Sequence, residues 1–195
     1  MKEALRATPD SVYVARRLFF TNSIDGIISA IGVNVGAFDE GVRPLSMALA
    51  ILGGSIAFGV AAGFLGALLS ERAERVRELR EMERALGGSL EGSVYSRAAM
   101  VVPIYVAFWS SLGILIFPLL VASPYFLSHL GVLSLGSAYF LSGALALLAL
   151  AVIGALLSRV SGESMMVSSL RAVMLGLGSM GLVYMIKRVV WAAVG

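Results

Sequence analysis

The chain has 195 residues, 58% of them hydrophobic and only 14% charged, with a formal net charge of +3. Globular domains carry roughly a quarter charged residues, so this balance excludes an ordinary soluble domain. The absence of cysteine excludes disulfides, thiolate metal sites and iron–sulfur ligation, and a single histidine, His129, excludes a centre built from paired imidazoles.

The apolar residues come in long blocks, which predicts an all-α integral membrane protein. A charge-rich stretch of about 17 residues precedes the first block, and no cleavable signal peptide is expected in it. A bilayer core takes roughly 20 apolar residues per helix. Five segments meet that length, at about 18–36, 45–69, 99–122, 133–158 and 166–186. Together they predict one membrane domain over residues 1–195. Turn residues punctuate it at Gly36 to Pro44, Gly87-Gly88, Ser123-Pro124 and Ser161-Gly162.

Basic residues assign the sides. Lys2, Arg6, Arg16 and Arg17 precede the first span; Arg72, Arg75, Arg77, Arg80, Arg84 and Arg97 separate the second from the third; Arg159 and Arg171 flank the last turn. The other side holds Arg43, Lys187 and Arg188. The positive-inside rule then predicts a multi-pass cell-membrane protein with a cytoplasmic N-terminus and an external C-terminus. Since the cations flank spans, no nucleic-acid partner is expected.

Asp25 is the one acidic residue inside any of the five spans. A carboxylate in hydrocarbon costs a few kcal/mol and is seldom carried without a use. It lies about 12 Å into its span, near the midplane where transporter sites lie. Gly26 follows it and would let the helix bend there, and Asn22, Ser23, Ser29 and Asn34 make the span polar enough to border a hydrated cavity. Two roles are open: an ion site that trades a cation for a proton, or a structural hydrogen bond from a protonated carboxyl to another helix.

The second span runs on without Gly or Pro from Leu68 to Leu86, which predicts a helix projecting about four turns beyond the bilayer as part of a cytoplasmic extension at about 70–98. Gly87-Gly88 would cap it, and Ser89 would cap the next helix. On the projection, Glu71, Glu74, Glu78 and Glu81 form a stripe about 15 Å long that suits a divalent cation. Against this, Arg75, Arg77 and Arg84 stand three or four residues from Glu71, Glu74 and Glu81, the pattern of a salt-bridged solvated rod. Small residues at Gly59, Gly63, Gly66 and at Gly176, Gly178, Gly181 suit close helix packing or a dimer face. The methionines of the last span read mainly as core fillers, with Met165-Met166, beside Glu163, the best placed for soft-metal contact.

The segment from Asn22 to Ser29 around Asp25-Gly26, the run from Gly66 to Glu74, the run from Arg77 to Ala85 and the Ser123-Pro124-Tyr125-Phe126 turn together resemble the vacuolar iron transporter family. The likeness is to its short prokaryotic and archaeal members. The resemblance implies a homodimer with five membrane helices per subunit and proton-coupled export of Fe²⁺, and of Mn²⁺, from the cytoplasm. It places Asp25 in the translocation path and assigns metal gathering to Glu71, Glu74, Glu78 and Glu81, with Glu91 as a further member. The partners it implies are the divalent metal as substrate, protons, the bilayer and a second copy, with no resident cofactor. Where the family's second span carries a Ser-Met pair and a Glu, this chain has Ala62-Gly63 and Ala67.

Two other functions fit the composition: a passive cation channel, or a carrier for another substrate, using Asp25 as its selectivity charge, and a membrane scaffold whose arginine-rich helix docks a cytoplasmic partner or anionic lipid. No enzyme is expected, since no nucleophile triad, phosphate-cradling glycine loop or histidine pair is present.

Overall fold

The computed structural model describes residues 8–38 and 41–194; Lys2 and Arg6, used above to orient the chain, lie outside that range. Among the described residues five helices are long and apolar enough to cross a membrane: α1 (Asp10–Gly36), α2 (Pro44–Leu86), α3 (Val94–His129), α4 (Leu135–Ser161) and α5 (Met165–Val194). The chain divides into two compact units, one of residues 1–22 and 58–113, the other of residues 23–57 and 114–195.

In the first unit Ala15, Ala98, Val102 and Val106 form the buried centre, with Val14, Leu18 and Tyr105 packed on it. Asn22 fastens α1 to α3 by donating Nδ2–H bonds to the Ser110 carbonyl (3.1 Å) and hydroxyl (2.6 Å). α1 starts eight residues earlier than the hydropathy block. Pro9 and Asp10 account for this, since a proline just ahead of the first turn is pre-organised for helix and an acid there meets the positive end of the dipole.

Within the same unit, α2 leaves α-helical geometry at Gly59–Gly66 and makes π-helix before resuming at Ala67. Runs of π-helix are rare and gather at functional sites. Here Gly59 and Gly63 are buried, and the segment contains the Ala62-Gly63 pair. The projection ends as expected: Gly87 is left-handed (φ 67°), and its N–H and that of Gly88 both bond the Glu83 carbonyl. The next cap is Ser93, not Ser89. Ser93 Oγ accepts from the Ser96 N–H at 3.1 Å, whereas Ser89 Oγ serves the Glu91 N–H in the turn. The glycine at 92 (φ 75°) keeps the turn open through Ser93, so helix cannot start sooner.

In the second unit the core is Ile27, Ile31, Met47, Ile51, Ile114, Val121, Tyr125, Leu150 and Ile153, all essentially without exposure. α4 and α5 approach backbone to backbone at Gly154 of α4, where a Cβ would come within 2.6 Å of the Ser168 carbonyl on α5. Gly176 likewise admits Leu147 and Leu150, whereas Gly178 and Gly181 have nothing near them. Met165, Met166, Met174 and Met185 are exposed, so the filler role belongs to Met47 and not to them.

Two expectations are corrected here. Gly26 does not break the helical ladder of α1 or free carbonyls there, since α1 is continuous; it lets the helix press on α3, where a Cβ would lie 2.9 Å from the Ile114 carbonyl. That oxygen is the one left without its helical donor by Pro118, so the bare glycine meets a freed acceptor. Nor does Ser123-Pro124 end a helix. Pro124 orphans the Leu120 carbonyl, and Ser123 Oγ donates to it at 2.7 Å, so α3 runs on to His129.

Candidate functional site

Asp25, Ser29, Gly32 and Gly36 recur at helical spacing along one face of α1, and the carboxylate, Ser29 and Gly36 are exposed. A Cβ on Gly32 would meet nothing within 4 Å. The opposite face, with Gly26, Ile27, Ala30, Ile31 and Asn34, is buried. Asp25 therefore points outward from the subunit, in a helix apolar enough to span a bilayer. Among the described residues no hydrogen bond or ion pair reaches its carboxylate. Of the polar residues expected to border a cavity with it, Ser29 shares its exposed face, while the two amides are engaged elsewhere. Asn22 serves Ser110, and Asn34 accepts from the Tyr125 hydroxyl while donating to the Tyr139 carbonyl.

The glutamate stripe sits in a different setting. It splits into two rows. Glu71, Arg75 and Glu78 lie on the inward row, where Glu71 and Arg75 are buried. Arg75 binds Glu71 through Nε at 2.9 Å and Glu78 through Nη1 at 2.8 Å, and its Nη2 reaches the Ser11 hydroxyl at 3.5 Å. That guanidinium already occupies the place between two carboxylates where a metal would sit. On the outward row Arg77 takes Glu74 closely and Glu81 loosely, at 4.0 Å; Glu74 raises the arginine's pKa first by hydrogen bond and then by charge, and Glu81 adds to it. Glu81 thus pairs with Arg77 rather than with Arg84. Glu91 is exposed in the turn ahead of α3.

Beside the inward row is a cavity of about 440 Å³ bordered by Asp10, Arg75, Glu78, Glu81, Met82 and Tyr95. Carboxylates with one thioether suit a borderline divalent ion. Among the described residues, however, no three acidic, histidine or cysteine side chains converge as a metal cluster. Asp10, Met82 and the bridging role of Arg75 escaped the sequence reading. Arg75 was within reach of it, since residues 71, 75, 78 and 82 share one helical face.

A further carboxylate, Glu163, stands in the turn between α4 and α5. Arg171 Nη1 donates to both its oxygens (2.8 and 3.0 Å) and Ser168 Oγ to one (3.0 Å). The arginine's hydrogen bonds first, then that of Ser168 and the arginine's charge, hold the carboxyl below its ordinary pKa.

A chain with five such helices is a multi-pass membrane protein. The model of the VIT family matches residues 70–188, more than half of the chain, and the chain belongs to that family, which implies membrane transport of metal ions. The match takes in the glutamate stripe and begins after Asp25. An uncharacterized protein of Methanocaldococcus jannaschii is 28% identical over 180 residues, covering 90% of this chain and 87% of the relative. No solved structure matches the chain.

Proposed function

We propose that this protein is a homodimeric, proton-coupled exporter of a divalent transition metal, Fe²⁺ ahead of Mn²⁺, from the cytoplasm. The observation that carries the reading is the outward carboxylate of Asp25 on a face of small residues. Facing lipid, that group would cost a few kcal/mol; facing its symmetry mate across a two-fold axis, it becomes half of a polar path. Two carboxylates brought together cannot both stay ionised without a cation, so loss of the metal favours uptake of a proton. That exchange is the antiport step.

Glu71, Glu74, Glu78, Glu81 and Glu91 gather the cation on the cytoplasmic side. Their arginine partners hold the stripe together when no metal is there, and the metal competes with Arg75 and Arg77 for the same oxygens. Positive-inside orientation places this extension, and the N-terminus, in the cytoplasm.

Purified protein in liposomes, with an imposed proton gradient, tests the reading. Fe²⁺ uptake should rise when the gradient opposes it in sign and collapse when the gradient is dissipated. Uptake indifferent to the gradient would make the protein a passive cation channel. No uptake of Fe²⁺, Mn²⁺, Co²⁺ or Zn²⁺ would leave the scaffold reading.

A further inference from the structure

The second unit holds a cavity of about 410 Å³ lined by neither Asp25 nor any glutamate, within the roughly 300–1,000 Å³ range of small-molecule sites. Its walls include Asn34, Phe38, Tyr139, Phe140, Met180 and Tyr184, and no carboxylate lines it. The one amide in the wall is already engaged. Asn34 Oδ1 accepts from Tyr125, and Nδ2 donates to the Tyr139 carbonyl at 3.4 Å, so the interior asks for apolar atoms only.

Position decides the occupant. Phe38 follows the end of α1 and Tyr139 lies in the first turns of α4, so the cavity is at the end of the membrane-spanning helices. Edge-to-face aromatic pairs, Phe38 with Tyr139 and with Phe140, mark this level as the aromatic belt that sits among headgroups. One turn beyond Tyr184 stands exposed Arg188, its guanidinium 5.6 Å over the Tyr184 ring and its Nε–H donated to the Tyr184 hydroxyl at 3.1 Å. Those two contacts fix the side chain while leaving its other donors directed elsewhere, whereas Lys187 donates to the Phe38 carbonyl. An apolar slot opening at headgroup depth beside an oriented guanidinium matches one class of ligand.

We infer that this cavity is a site for an anionic phospholipid, one acyl chain entering between α1, α4 and α5 and the phosphate resting on Arg188. Native mass spectrometry of the full chain, purified in detergent with added phosphatidylglycerol or phosphatidylcholine of matched chains, tests it. The native protein should retain phosphatidylglycerol about fivefold better, the preference that one basic residue gives at a membrane surface. Arg188→Gln should erase that preference, and Arg43→Gln, on an exposed loop cation, should preserve it. Ala144→Trp, which fills the slot, should reduce retention of both lipids. Equal retention by the native protein would overturn the assignment. So would a preference that survives Arg188→Gln or disappears with Arg43→Gln. Should the tryptophan variant fail to fold, the two surface variants decide the matter alone.

Discussion

Asp25 and the glutamates of the α2 extension are near-identical functional groups in opposite circumstances. Asp25 is single, within a membrane-spanning helix, and among the described residues no cation meets it. Glu71, Glu74, Glu78 and Glu81 are numerous, and each has an arginine within 4.0 Å. Counting carboxylates would rank the extension as the stronger metal site. Counter-charge reverses the order: an arginine-neutralised stripe needs no metal, while an outward carboxylate in hydrocarbon needs something. On the function proposed above, the extension would therefore collect ions weakly and reversibly, and the need for a cation would be concentrated at Asp25.

The sharpest way to break the comparison is to ask what covers Asp25. The chain has no cysteine, so Ser29→Cys, one turn from Asp25 on the same face, gives a clean single-site probe. Oxidation in native membranes should convert most of the protein to a disulfide dimer, because cross-linking requires Cα atoms within about 7 Å. Leu148→Cys, exposed on α4, should remain monomeric; dimers from Leu148→Cys alone would put the interface elsewhere.

Arg75→Leu comes next in size. It strands Glu71 in a buried position, and loss of one partner of a buried pair should destabilise the detergent-solubilised protein by about 3 kcal/mol in denaturant titration. Adding Glu71→Leu should restore most of that loss. Arg77→Gln should have a smaller and opposite-looking effect: it frees the exposed Glu74 and Glu81 and should tighten Mn²⁺ binding, read by calorimetry, roughly threefold. Weaker binding would mean that the arginine organises the site instead of competing for it.

Glu163 supplies the smallest effect, as a paired carboxylate away from both regions. Its folded pKa is lowered, so its stabilising contribution is present above the ordinary value of 4.5 and is lost as pH falls through the folded value. Glu163→Gln should therefore lower the melting temperature slightly at pH 7 and leave it unchanged at the acid end of the titration. An equal decrease at both pH values would mean that the ion pair with Arg171 is not the cause.

The five spans were legible because 20-residue apolar blocks have few alternative structures in a chain this hydrophobic. The stop at Gly87 was legible because glycine takes the left-handed cap without strain. The π-helix at Gly59–Gly66 was not, since its hydropathy is that of any membrane helix and only the backbone reports the wider turn. Pro124 misled because its broken hydrogen bond is repaired locally by the Ser123 hydroxyl, a compensation that hydropathy does not register. At the site, Asp25 stood out by cost alone. The partition of the glutamates into two arginine-bound rows was in the spacing of residues 71, 75 and 78, but burial was needed to tell the inward row from the outward one.

Proton release measured alongside Fe²⁺ uptake in the same liposomes, for native protein and for Asp25→Asn, tests the central claim most directly. An internal pH signal that rises with metal entry in the native protein and vanishes with Asp25→Asn, while the variant stays folded and dimeric, is the predicted result. Coupled uptake that persists in Asp25→Asn would contradict the account, because the exchange would then belong to some other group.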